Sequence, residues 1–187
     1  MRPRPCTKCG KWRRRAALPY TPEVEFTVGQ VVVYGGYGPG RVVATETRAA
    51  TPEPQEVVVL ELAAALTVTL PIALAQEQLR AVMNETELAS VQTTLRSGPR
   101  ASESIWIKRQ KATRAKLATG QAICLAEVIS DGAHRQRAQA ARLSVNEREM
   151  YLKARRLLAD EIGHARGIDP TQAEDWITSQ LEHAVAP

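Results

Sequence analysis

Apolar positions in the first eighty residues recur in short runs with a spacing of two. In the remainder of the chain they follow the three-and-four spacing of helices. The run VEFTVGQVVVY, Val24–Tyr34, is rich in β-branched and aromatic residues and predicts a first strand. The segment Gly35-Gly36-Tyr37-Gly38-Pro39-Gly40 predicts the turn after it, because glycine takes positive φ cheaply and proline withholds the N–H that a ladder uses. Further strands are predicted over Arg41–Thr47, Glu56–Leu62, Leu66–Leu70 and Leu79–Val82. A Pro-containing loop, Arg48–Gln55, follows the second strand, and Ala63–Ala65 connects the third to the fourth. Leu66, Val68 and Leu70 alternate onto one face, and Pro71 stops that strand. Several short strands within about sixty residues fit a small SH3-like or Tudor-like β barrel.

The second half predicts helices throughout, which makes the fold class α+β. Asn84, with Glu87 three residues on, caps a helix to Arg96, and Ser97-Gly98-Pro99 breaks the chain. A helix over Ile105–Ala118 ends at Gly120, a favoured residue just past a helix end. Another covers Ala122–Ser130, while the Asp131-Gly132 pair leaves the stretch to Arg142 open between helix and loop. Ser144-Val-Asn-Glu147 is a capping box for a helix through Ile162 to Gly163. Asp169-Pro170 supplies a cap and a first-turn proline for a last helix to His183.

The charge distribution divides the chain of 187 residues into three parts. Residues 1–20 carry seven basic side chains and no acid, residues 21–95 sum to −6, and residues 96–187 sum to +4. Within the last part, Arg96–Lys116 holds seven cations against Glu103 alone. An alternation of this kind suggests separate partners for each part, although solvation alone accounts for charge in any one segment. The 44% hydrophobic content excludes wholesale disorder. No apolar run is long enough for a membrane span or a secretory signal, so a cytoplasmic address is expected. Three cysteines, an odd number, argue against a disulfide framework.

Two tryptophans carry different expectations. Trp176 lies in an apolar stripe with Ala173, Ile177, Gln180, Leu181 and Ala184, which reads as core. Trp106 opens a helix in which apolar and basic positions are mixed, just before Lys108, Arg109, Lys111, Arg114 and Lys116. A packed indole is the commoner case. The alternative is an apolar wedge flanked by phosphate-binding cations, the combination with which minor-groove proteins unstack a base step. The glycine cluster lacks the Gly-Lys-Ser/Thr ending of a phosphate loop and is followed by a strand, so turn chemistry accounts for it better. No nucleophile stands near the three histidines and no paired carboxylates mark a loop, so no enzyme is expected. Cys6 and Cys9 form half of a zinc knuckle, but a structural site needs two further ligands. Cys124 is expected to be a small buried hydrophobe. No cofactor is expected.

The sequences FTVGQVVVYGGYG, VATETR, LTVTLP, WIKRQKATRAKLATG and SVNEREMYLKARRLLADEI, in this order across Glu25–Ile162, resemble the CarD/CdnL family of bacterial transcription regulators. The N-terminal module also resembles the RNA-polymerase-interacting domain of transcription-repair coupling factor. The resemblance implies a Tudor-like polymerase-interacting domain over 23–83 and a helical DNA-binding domain over 84–187, while the basic tail over residues 1–22, expected to be flexible, is additional to the family's usual start near Phe26. It implies a non-enzymatic monomer, associated with the nucleoid through RNA polymerase, that docks on the polymerase β subunit and reaches promoter DNA at the upstream edge of the transcription bubble. There Trp106 would be the minor-groove wedge that slows bubble collapse, with Lys108, Arg109, Lys111 and Arg148 as the neighbouring DNA contacts. Arg48 matches a polymerase-contacting arginine. Thr69 stands where family members carry a second one, and Gly35 and Tyr37 replace a usual proline and histidine.

The physics is consistent with that mechanism. Phosphate contacts supply affinity without sequence information. Unstacking a step costs about a few kcal/mol, least where the duplex is already distorted, so a wedge delivered by polymerase to a melting junction meets part of that cost already met. Two other readings fit parts of the sequence: a stand-alone architectural DNA-binding protein, and a CxxC zinc or redox protein built on Cys6 and Cys9.

Overall fold

The computed structural model describes residues 25–49, 54–98, 106–137 and 143–183. Its N-terminal half is an antiparallel sheet of β1 (Val31–Tyr34), β2 (Gly38–Arg48), β3 (Gln55–Leu62), β4 (Leu66–Pro71) and β5 (Leu79–Ala81). The strand order is β4-β3-β2-β1-β5, so β4 and β5 are the two edges and the sheet is not closed by hydrogen bonds between them. Strand β3 is buried on both faces over Val57–Leu60. Val58 and Leu60 join Phe26, Val32, Val42, Leu70 and Ala75 in the buried cluster of this half. Ala75 comes from a short helix, α1 (Ile72–Gln78), laid between the edge strands.

The sequence expectations for this half need five corrections. Strand β4 includes Pro71, paired with Val57, rather than stopping at Leu70. The first strand begins at Val31, not Val24. Phe26 is buried before it, and a tight turn, closed by the Gln30 N–H donating to Thr27 O at 3.0 Å, separates the two. The glycine turn spans Gly35–Tyr37 alone, and β2 resumes at Gly38 with Pro39 paired to Val33. Proline is tolerated there because the β3 ladder starts one residue later, at Gly40, so the missing N–H costs no bond on that side. Helix α1 has no counterpart in the expected elements: Ala75 is its buried residue, too little for a legible stripe. Strand β5 ends at Ala81 rather than Val82.

The C-terminal half comprises α2 (Glu85–Arg96), α3 (Trp106–Thr119), α4 (Ala122–Arg137), α5 (Val145–Arg166) and α6 (Pro170–His183). Both expected capping boxes form, Asn84 with Glu87 and Ser144 with Glu147. Helix α4 runs through Asp131-Gly132, where composition alone left helix and loop open. The Tyr151 ring fills the space beside Gly132, so that a Cβ there would stand 2.5 Å from Cδ2. Helix α5 passes Gly163 and ends instead at Gly167, whose φ of 64° supplies the left-handed cap. One apolar core, including Leu95, Leu125, Ile129, Leu158, Ile162 and Ile177, joins α2, α4, α5 and α6. Trp176 is half-buried at the rim of this core, with the Arg166 guanidinium 5.5 Å over its ring, and is not an interior residue. Cys124 is likewise half-buried, not buried.

The two halves pack directly. Gly120, at the C-terminal end of α3, has φ 62° and lies so close to Gly35 that a Cβ would collide with the Gly35 carbonyl. Arg80 of β5 donates to both carboxylate oxygens of Glu161 in α5, at 2.5 and 2.7 Å, and to Gly120 O at 2.5 Å. Glu161 also accepts from the Met83 backbone N–H at 3.1 Å.

Candidate functional site

Helix α3 is amphipathic only at its C-terminal end, where Leu117 is its buried residue. Trp106, in the first turn, is 46% exposed and Ile107 is 67% exposed. Neither side chain is claimed by a core, because basic residues interrupt every apolar stripe of this helix. Lys108, Lys111 and Arg114 are exposed on the same helix. Lys116 reaches Glu127 of α4 at 2.9 Å.

Arg109 is a different case. Its side chain is 17% exposed and its guanidinium donates to Glu147 at 3.3 Å, which fastens the first turn of α3 to the first turn of α5. Arg135, near the end of α4, donates to the same carboxylate at 2.8 Å. Glu147 also accepts from the Ser144 N–H at 3.0 Å and from the Ser144 hydroxyl at 2.8 Å. Burial alone would push this carboxyl upward, but the Arg135 and Ser144 hydrogen bonds outweigh it and hold its pKa at about 2. One carboxylate therefore gathers three helix ends. Trp106 lies one helical turn before Arg109, and Arg148, which is exposed, lies one residue after Glu147. Trp106, Lys108 and Arg148 are thus grouped around a partly buried ionic hub that none of them joins in the described contacts.

The residues expected to meet polymerase lie on the sheet. The β2–β3–β4 register pairs Arg48 with Gln55 and Val59 with Thr69. Residues 55 and 59 of β3 point to one face, so Arg48 and Thr69 share it. This is the face opposite Val58 and Leu60; Val57 and Val59 in its middle are themselves buried, at 6% and 7%, and the exposed groups are Arg48 and Thr69 at its margins. Both are exposed, and Arg48 bends back to Glu46 at 3.3 Å across an ion pair whose members are half-exposed. Thr69 also sits on the edge strand β4, whose outer backbone groups have no strand partner among the described residues.

Several residues of this arrangement escape the sequence reading. Glu147 is legible there as a helix cap, and nothing in the spacing tells that Arg109 and Arg135, 38 and 12 residues away, converge on it. Nothing in the sequence pairs Arg80 with Glu161, 81 residues further on. Cys6 and Cys9 lie outside the described residues, and among the described residues no group of three His, Cys, Asp or Glu side chains could hold a metal ion. Among the same residues no helix is long and apolar enough to cross a membrane.

Two family models match the chain in collinear order. Residues 26–83 match the CarD-like/TRCF RID domain, and residues 90–178 match the CarD C-terminal domain. Together they cover the sheet, α1 and nearly all of the helical half, in agreement with the resemblance carried by the sequence motifs. The family is one of non-enzymatic transcription factors, and its RID module is the part that engages the RNA polymerase β subunit. The chain belongs to the CarD family and is a transcription regulator that interacts with RNA polymerase.

Proposed function

We propose that the protein stabilises the open promoter complex by docking the outer face of its sheet, around Arg48, Thr69 and the β4 edge, on the polymerase β subunit, and inserting Trp106 into the minor groove at the upstream edge of the bubble. Lys108, Lys111 and Arg148 contact the flanking phosphates, and Arg109 supports the helix from behind through Glu147. The observation that carries this reading is the 46% exposed indole in the first turn of α3, beside exposed cations and outside any core. An indole left in water forgoes a large part of its burial free energy, on the order of 1–3 kcal/mol, so the fold gains little by keeping it there. A wedge that separates stacked bases recovers that energy on binding. The cations add sequence-blind, salt-sensitive affinity, too weak alone to select a promoter, which makes delivery by polymerase essential.

The test compares open-complex lifetimes on one promoter with polymerase alone, with the wild-type protein and with Trp106→Ala. The wild type lengthens the lifetime, and the variant binds the β subunit normally while losing the lengthening. Equal lifetimes for both proteins would refute the wedge. Tight promoter binding by the isolated protein, unaffected by polymerase, would point instead to a stand-alone architectural DNA-binding protein.

A further inference from the structure

Helix α3 is held at its far end by the sheet-bearing half of the molecule. Gly35 and Gly36 of the turn after β1 meet its last residues backbone to backbone. A Cβ on Gly36 would stand 3.0 Å from the Leu117 carbonyl oxygen, and one on Gly120 would overlap Gly35. Arg80 spans the same junction from β5, donating to Gly120 O and to both oxygens of Glu161, a carboxylate 1% exposed. Glu161 in turn accepts from Met83, in the connection between β5 and α2. At the opposite end of α3, Arg109 joins Glu147. A helix of 14 residues extends about 21 Å, so the junction lies about that far from Trp106.

We infer that the Arg80–Glu161–Gly120 junction, with the glycine turn packed on it, locks the two halves into one body, so that α3 acts as a strut fixing the reach from the polymerase-docking face to Trp106. Arg80 and Glu161 are then positioning residues, remote from both partners. The chemistry suits this role. A buried carboxylate with a two-pronged arginine and a backbone donor has one satisfied arrangement, and any rotation of the halves leaves a charge buried and unpaired. The glycine contacts set the separation from the other side, because no side chain can act as a compliant spacer between the two backbones. The consequence for open complexes rests on the function proposed above; the rigidity itself does not.

The experiment uses the full chain with Cys6, Cys9 and Cys124 changed to Ser and spin labels attached after Glu77→Cys and Lys153→Cys, both exposed positions on opposite halves, the first on α1 and outside the proposed docking face. Interhalf distance distributions are recorded for this protein and for Glu161→Gln and Gly36→Val, the second a steric spacer with no change of charge. Unlabelled versions are assayed for helical content, β-subunit binding and open-complex lifetime. The expected result is one narrow distance for the parent and broadened distributions for both variants. Helix content and β-subunit binding are retained, and the lengthening of the lifetime is lost. Adding Trp106→Ala to either variant then shortens the lifetime no further, a non-additivity that general destabilisation does not produce. Narrow distributions in both variants overturn the lock, and broad distributions with a wild-type lifetime overturn the strut. Should the parent protein fail to lengthen the lifetime at all, the function proposed above falls while the distances still decide the lock.

Discussion

Arg109 of α3 donates to Glu147 of α5 at 3.3 Å, and this contact separates one cation of the α3 cluster from its neighbours. Lys108 and Lys111 are exposed on either side of it and available to phosphate, whereas the Arg109 guanidinium is occupied in holding the helix that carries Trp106. Substitution therefore has different consequences at adjacent positions. Lys108→Ala and Lys111→Ala should each reduce the slope of log affinity against log salt for DNA by about 1, with unfolding midpoints unchanged. Arg109→Ala should lower the urea midpoint. Identical behaviour of all three in both assays would contradict this division.

The same carboxylate gives the stability a defined pH dependence. Glu147 is held at about 2 in the folded protein against 4.5 for an unperturbed glutamate, so its contribution is fully present above pH 4.5. Because the folded value is the lower one, that contribution is lost as the pH falls toward 2. Urea unfolding of the wild type and of Glu147→Gln should therefore differ most near neutral pH, with the gap narrowing steadily below pH 4.5. A gap independent of pH would show that the carboxylate charge contributes nothing.

Trp106 and Ile177 illustrate opposite uses of a large apolar residue. Ile177 is 0% exposed, and Ile177→Ala should cost about 2–5 kcal/mol in chemical denaturation. Trp106→Ala, at a position 46% exposed, should cost no more than about 1 kcal/mol while removing the effect on open complexes. A large stability loss at Trp106 would mark it as a packing residue.

Gly132 lies inside α4, where alanine normally gains up to about 1 kcal/mol of helix propensity. The Tyr151 ring occupies the space its Cβ needs, at 2.5 Å. Gly132→Ala should accordingly destabilise the protein, by about 1–3 kcal/mol, as overpacking does. Gly132→Ala combined with Tyr151→Leu should recover part of that loss, a coupling readable from the four unfolding midpoints of the double-mutant cycle.

On the sheet, Arg48 and Thr69 share the outer face, and an arginine at position 69 would project beside an existing one. Arg48→Ala should weaken binding to the β subunit. Thr69→Arg should strengthen it by up to about 1 kcal/mol, the range of an exposed ion pair, as measured by calorimetric titration with the isolated β lobe. Unchanged binding by Thr69→Arg would place that strand outside the interface.

Local patterns in the chain suffice for much of this protein. The alternation of Leu66, Val68 and Leu70, the two capping boxes and the Asp169-Pro170 start each act within a few residues, and the corresponding strand and helices form as the pattern predicts. The motif order likewise identifies the family, and the break of apolar periodicity in α3 already sets Trp106 apart from Trp176. Where the pattern misleads, a distant residue has overruled a local preference. Tyr151 makes room for no side chain at Gly132, and the late start of the β3 ladder lets Pro39 enter a strand. Local spacing is equally blind to the convergence of Arg109 and Arg135 on Glu147 and of Arg80 on Glu161, because charge pairing depends on separation in space and these partners are 12 to 81 residues apart in sequence. The amino-acid order determined which segments become strands and helices and which indole is left unclaimed. The tertiary structure alone decided which cations are spent on holding the molecule together and which stay free, since only packing brings a buried carboxylate within reach of a particular arginine.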